Sequence, residues 1–230
     1  MNELESLGQF YKTDKRKNLN GETGNHDYID TYYELLKDHK EDYENILEIG
    51  VWFGASHLMW NEFFPNAIIN GVDNFSAQFH KYKTENPLMN DAEISMQLEE
   101  LKNSLENVGI IIHVGSQADK EFLKTVGYDG KYDLICDDGS HGSWDVQTSF
   151  DVLWDYVKSG GYYIVEDLAV CDNREFRQFD DPRSATDQWL GSMVSTEPFS
   201  YYIESDKLKR IQGEIESIEI VGELGIIKKK

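Results

Sequence analysis

The sequence predicts an α/β fold on a central, mostly parallel, seven-stranded sheet that ends in an antiparallel hairpin. Three observations carry this prediction. Short apolar runs alternate with helical patterns, as strand–helix units do when helices cover both faces of a parallel sheet. The first apolar run, residues 45–50 (NILEIG), leads into a loop with glycines four positions apart. Near the C-terminus, residues 215–221 and 224–228 are separated only by Gly222 and Glu223, a hairpin signal.

The elements follow in order. After the strand at 45–50, residues 55–64 read as a helix stopped by Pro65. Residues 67–72 form a second strand ending at Asp73, and 74–90 mix polar, aromatic and proline residues without a clear period. Ile94, Leu98, Leu101, Leu105 and Val108 then recur at three- and four-residue steps, the mark of an amphipathic helix lying on a sheet. Gly109 ends it, and 110–114 are the third strand. A helix near 120–126 leads to the fourth strand, 132–136. The next helix runs over 143–157 and stops at Gly160-Gly161, before a fifth strand at 162–165.

Composition bounds the function. A chain of 230 residues, 40% of them hydrophobic, suits one globular domain with at most a modest lid. No apolar run approaches the roughly 18 residues of a membrane span. The opening MNELESLGQFYKTDKRKN lacks the apolar stretch of a signal peptide, so a cytoplasmic protein with no membrane partner is expected. Cys136 and Cys171 are the only cysteines; without CxxC spacing they suggest neither a disulfide scaffold nor structural zinc. Cys136, in the apolar run YDLIC, reads as a buried strand residue. A net charge of −21 repels phosphate backbones and argues against nucleic acid as a partner. A homo-oligomeric state is left open.

The first strand runs into Glu48-Ile49-Gly50-Val51-Trp52-Phe53-Gly54-Ala55-Ser56. An acidic residue and two glycines between strand and helix mark a backbone that a ligand must approach closely. Gly50 permits that approach, and Gly54 lets the helix start against the strand. The helix N-terminus around Ser56 offers free N–H groups to a carboxylate. GxxxG spacing favours S-adenosylmethionine over NAD, which prefers GxGxxG; an ordinary tight turn is the bland alternative. Asp73 stands about 20 residues on, where an acid takes the ribose hydroxyls or merely caps a loop. Ser116 and Gln117 fall where the adenine edge would lie, with N-capping by Ser116 a competing role. Asp137 is placed with these cofactor contacts.

The most informative groups follow the fourth and fifth strands: Asp137-Asp138-Gly139-Ser140-His141 and Glu166-Asp167. In an open α/β sheet both strand ends reach the same crevice. Three or four carboxylates gathered there repel one another unless a hard divalent cation joins them, and oxygen ligands suit magnesium better than zinc. Asp138, Glu166 and Asp167 are the candidate ligands, with solvated acidic loops as the alternative. His141 lies three residues beyond Asp138 and is the candidate general base.

The segments LEIGVWFGAS, MWNEFFPNA, GSQAD, CDDGSH and YYIVEDL, in this order, resemble the macrolide-sugar O-methyltransferases, the mycinamicin and demethylmacrocin type related to cephalosporin-hydroxylase-type proteins. FYKTDK followed by His26, Tyr28 and Tyr32 matches the entry to that family, and the resemblance covers about Leu7 to Leu168. It implies a Rossmann-like class I methyltransferase fold; residues 1–40 are expected to form an N-terminal helical lid segment and 41–230 the S-adenosylmethionine-binding domain. It implies magnesium held by Asp138, Glu166 and Asp167, His141 as base, and a sugar or glycoside hydroxyl as acceptor. Two departures stand out: Lys12 replaces a small residue before TDK, and the stretch after Asp73 is long.

Residues 168–193 should border the acceptor. Arg174, Arg177 and Arg183, three of the five arginines, fall here and would grip an acidic acceptor or pair locally with Asp172, Glu175, Asp180 and Asp181. Tyr11, Tyr28, Tyr32, Trp52 and Trp144 are candidates for a sugar-stacking wall or for ordinary packing. The expected function is metal-dependent O-methylation of a sugar hydroxyl. A catechol-like diol as acceptor, or cofactor binding without turnover, are the rivals.

Overall fold

The computed structural model describes residues 1–16, 26–128, 131–171, 173–177 and 179–230. The chain divides into two compact units, residues 1–46 with 51–114 and residues 47–50 with 115–230.

In the first unit, helix α1 (Glu3–Tyr11) is capped by Asn2, whose side chain accepts from the Glu5 N–H at 2.7 Å. Helix α2 (Ile29–Leu36) buries Ile29, Tyr32 and Leu36. Strand β1 (Asn45–Ile49) contributes its first two residues here. Helix α3 (Ala55–Phe63) turns Met59, Trp60 and Phe63 inward, and Tyr32 meets Trp60 edge-on at 5.2 Å. Strand β2 (Ile68–Asp73) precedes helices α4 (Ser76–Glu85) and α5 (Asp91–Glu106). A reciprocal capping box between Asn90 and Glu93 opens α5. Strand β3 (Ile111–Val114) then pairs parallel with β2, Asp73 against Val114.

The second unit begins with helix α6 (Lys120–Tyr128) and strand β4 (Tyr132–Asp137), buried along its whole length. Helix α7 (Ser143–Leu153) and strand β5 (Val157–Val165) follow. Helices α8 (Leu168–Cys171), α9 (Thr186–Ser192) and α10 (Ser205–Glu214) lead to the hairpin β6 (Ile215–Val221) and β7 (Leu224–Lys229). β5 is parallel to β4 and antiparallel to β7. The seven strands form one sheet in the order β3-β2-β1-β4-β5-β7-β6, the expected parallel core with its antiparallel hairpin.

Three local expectations are corrected. The helix expected to reach residue 157 ends at Leu153, and after a short 3-10 turn β5 starts at Val157. Gly160 and Gly161 therefore do not stop a helix. They sit inside β5, where the register shifts between Tyr132↔Val157 and Leu134↔Tyr162. Gly160 has φ +79°, and a Cβ on Gly161 would stand 2.7 Å from the Asp133 carbonyl oxygen, so the pair makes a bulge. The stretch without a period holds helix α4, whose one buried residue is the polar Gln78. Among the described residues no helix is long and apolar enough to cross a membrane. Cys136 is buried, as its apolar run suggested.

Candidate functional site

In the first unit the glycine loop is braced by Asp73. Its Oδ2 accepts from the Val51 and Trp52 N–H groups at 2.9 and 3.1 Å and from the Gln78 amide at 2.8 Å. Its Oδ1 accepts from Phe75 N–H at 2.7 Å. Gln78 also donates to the Trp52 carbonyl at 2.9 Å. One carboxylate thus fixes the loop that follows β1, a role that spacing alone did not reveal. Gly54 caps α3 with φ +81° and no side-chain cap. The close neighbour it accommodates is Leu105 of α5, 2.6 Å from where its Cβ would lie. Ser56 is buried, its hydroxyl 3.4 Å from Nδ1 of His57.

In the second unit, Gly50 has φ +95°, and a Cβ there would stand 2.1 Å from the Asp138 carbonyl oxygen. Only glycine lets the end of β1 lie against the turn that follows β4, where Asp138 N–H donates to the Ile49 carbonyl at 3.0 Å. Asp137 pairs with Val165 across the sheet, and Glu166 N–H donates to the Asp137 carbonyl, so the Asp-Asp and Glu-Asp pairs leave their strands side by side.

Asp137 and Asp138 have separate fates. Asp137 is buried and accepts from the Ser149 hydroxyl, from the Tyr163 hydroxyl at 2.9 Å and from the Gln117 amide at 3.2 Å. Burial pushes its carboxyl up to about 6 against the pull of those donors, and burial likewise raises the Tyr163 phenol. Gln117 uses its other end to accept from Ser140 N–H at 2.8 Å. Asp137 and Gln117, both expected at the cofactor, thus join in a buried brace under the Asp138–His141 turn. Ser116 accepts from Ala118 N–H at 3.2 Å in a local turn, while Asp119 caps α6 by accepting from the Glu121 and Phe122 N–H groups. Ser149 and Tyr163 belong to this brace too. Nothing in the sequence marked them, since each reads as an ordinary helix or strand position.

The carboxylates meet as the motifs suggested. Glu48, Asp138 and Glu166 each place an oxygen within 4.8 Å of the others, and so do the ligand atoms of Asp138, His141 and Asp167. Glu48, Glu166 and Asp167 are buried, and Asp138 is half-buried. Nε2 of His141 lies 3.6 Å from Oδ2 of Asp167, and the Phe176 ring flanks the imidazole at 6.5 Å. A set of buried carboxylate oxygens with one imidazole fits a hard divalent cation. Trp52, Phe75, His141 and Asp167, in the loops after four of the strands, all have φ between 49° and 58°, rare for residues with side chains.

Of the arginine group, Arg174 and Arg183 form local pairs. Arg174 meets Asp180 at 2.8 Å, and Arg183 grips Asp181 through Nε and Nη2 at 3.0 and 2.6 Å. Asp172 lies outside the described residues. Of the aromatic candidates, Tyr28 and Tyr32 are buried in the core and the Tyr11 hydroxyl donates to Glu62 at 2.6 Å, whereas Trp52 and Trp144 are exposed.

Residues 47–168 match a family model described as a methyltransferase domain, more than half of the chain. The chain belongs to this methyltransferase-domain family. Among curated family relatives it is 29% identical over 178 residues to mycinamicin VI 2''-O-methyltransferase of Micromonospora griseorubida, covering 74% of this chain and 38% of that one. It is also 29% identical to demethylmacrocin O-methyltransferase of Streptomyces fradiae, over 72% of this chain and 36% of that one. The chain thus spans less than two-fifths of the length of these relatives. Among solved structures, the MycE methyltransferase in complex with Mg, SAH and mycinamycin VI superposes with a TM-score of 0.74 at 25% identity, covering 99% of this chain and 54% of that one. A putative caffeoyl-CoA O-methyltransferase from Staphylococcus aureus, TM-score 0.53 at 14% identity, shares the fold over 100% of this chain and 93% of its own.

Proposed function

We propose that this chain is a magnesium-dependent O-methyltransferase that moves a methyl group from S-adenosylmethionine to a sugar hydroxyl of a glycosylated natural product. The observation that carries the reading is a pair of ligand-atom groups that share Asp138, one with Glu48 and Glu166 and one with His141 and Asp167, in a methyltransferase-domain chain. Its likeness to macrolide-sugar O-methyltransferases, and to a structure holding magnesium, S-adenosylhomocysteine and a macrolide, supports the same reading. Asp138, Glu166 and Asp167 would hold the metal. When bound, the ion neutralises these carboxylates and acidifies an acceptor hydroxyl, and the cofactor supplies a sulfonium methyl.

The chain's own residues do the rest. His141 takes the hydroxyl proton at Nε2, on the side where Asp167 stabilises the resulting imidazolium. The brace of Asp137, Gln117, Ser149 and Tyr163 holds the turn that carries Asp138 and His141, and such fixed alignment is a large part of catalytic rate. Glu48, Gly50, Gly54, Ser56 and Ser116 are assigned to the cofactor, with Asp73 on the ribose. Residues 1–40 are read as a lid segment.

The test is consumption of S-adenosylmethionine with magnesium and mycinamicin VI, read by mass spectrometry as S-adenosylhomocysteine and a methylated glycoside. Cofactor binding without either product would leave a binding protein and sink the enzymatic reading. Asp73→Ala should weaken S-adenosylmethionine binding by about 1.5–3 kcal/mol, the worth of hydrogen bonds to a charged group. Calorimetry finding equal affinity in this variant would remove Asp73 from the cofactor site.

A further inference from the structure

We propose that Trp144, Phe179 and Tyr201 form an aromatic platform, edged by the Asp181–Arg183 pair, that binds the sugar of the acceptor. The proposal rests on the O-methyltransferase reading and adds to it the place where the acceptor is recognised. Trp144 is three residues beyond His141, in the first turn of α7. It is 41% exposed, Phe179 43% and Tyr201 40%, an unusual gathering of large rings at a surface.

The rings form one connected set. Trp144 meets Tyr202 edge-on at 5.1 Å, Phe179 stacks on Tyr202 at 6.0 Å and contacts Tyr201 at 4.8 Å. Tyr202 itself is buried, and its hydroxyl has no hydrogen-bond partner among the described residues. The surroundings hold the set in place. The Ser200 hydroxyl donates to Gln147 of α7 at 2.7 Å, which ties the segment carrying Tyr201 to the helix carrying Trp144, and the Ser140 hydroxyl donates to Asp145 at 2.5 Å, which ties the His141 turn to the same helix.

The edge is polar and rigid. Asp181 accepts from the Arg183 guanidinium and from the Tyr201 hydroxyl, while Arg183 lies over the Phe199 ring at 4.9 Å. A pyranose has a face of C–H groups that lies flat on aromatic rings and a rim of hydroxyls. Those hydroxyls pair with fixed planar carboxylate and guanidinium groups. An acidic acceptor fits less well, because Asp181 already neutralises Arg183. A glycoside answers both features, and it would be recognised beside the turn that carries the base.

The test uses the full chain with magnesium and S-adenosylhomocysteine, titrated with mycinamicin VI, its aglycone and methyl α-L-rhamnopyranoside. Calorimetry and ligand-observed NMR report binding. The glycosylated macrolide should bind more tightly than the aglycone. Trp144→Ala and Tyr201→Ala should each weaken it tenfold or more, Trp144→Phe should retain most of the affinity, and S-adenosylhomocysteine binding should not change in any of them. The last measurement also shows that each variant is folded. The platform is overturned by unchanged glycoside affinity in both alanine variants, by an aglycone that binds as well as the glycoside, or by no binding of either sugar-bearing probe to the unsubstituted chain. Failure to bind S-adenosylhomocysteine would instead overturn the methyltransferase reading, and the two outcomes are read separately in the same titrations.

Discussion

Asp138→Ala should abolish turnover and the response to magnesium together, with Asp167→Ala close behind. Asp138 is common to both ligand groups, with Glu48 and Glu166 on one side and His141 and Asp167 on the other. Two carboxylates with oxygens within 4.8 Å repel by roughly 3 kcal/mol or more at an effective dielectric near 20. The metal-free cluster is therefore held together against its own charge, and removing one member should relax it. The variant should melt no lower than the unsubstituted protein without metal, but lose the rise in melting temperature that magnesium gives through preferential binding to the folded state. Chelation of the unsubstituted enzyme should likewise stop turnover, and magnesium should restore it. Full activity in excess EDTA would refute the metal role, and a preserved magnesium-induced rise in Asp138→Ala would remove that residue from the ligand set.

His141→Ala should keep cofactor and magnesium binding and lower kcat by about 100- to 10,000-fold, the usual worth of general-base catalysis. Two contacts flank the side chain, Asp167 at 3.6 Å from Nε2 and the Phe176 ring at 6.5 Å. A ring nitrogen of His141 also lies within 4.8 Å of oxygens of Asp138 and Asp167, so kinetics must be paired with metal titration. A loss confined to kcat assigns the proton transfer to His141. A parallel loss of magnesium affinity would make it a ligand instead, and a loss below tenfold would leave it a structural member of the turn.

The framework of the site was legible because its signals are local. Short apolar runs ended at Gly50, Asp73, Asp138 and Glu166, and each run became a strand ending near its motif. The brace was not legible, because its hydrogen bonds join residues far apart in sequence. Gln117 reads as a polar residue after a strand, yet its partners Asp137 and Ser140 lie 20 and 23 positions away. Asp137 and Asp138 are adjacent and chemically alike, and only the paired strands show that one is buried beneath the turn while the other joins the cluster. Helix α4 was hidden by its surface: with Gln78 as its one buried residue it carries no apolar stripe to betray its period. The Gly160-Gly161 pair was ambiguous, since glycines that stop a helix and glycines that bulge a strand look the same in one dimension.

The left-handed backbone at Trp52, Phe75, His141 and Asp167 has a consequence for how this chain would evolve in the laboratory. Each such residue costs the fold on the order of 1–3 kcal/mol that glycine, and in part asparagine, would not. A directed-evolution campaign selecting only for thermal tolerance would therefore drift toward glycine or asparagine at positions 141 and 167. The survivors would be hardier proteins without the imidazole or the carboxylate assigned to the chemistry. On the proposed roles, selection for robustness and selection for turnover would pull in opposite directions at these two residues, so a stabilised version of this protein should be sought by substitutions elsewhere, with both positions held fixed.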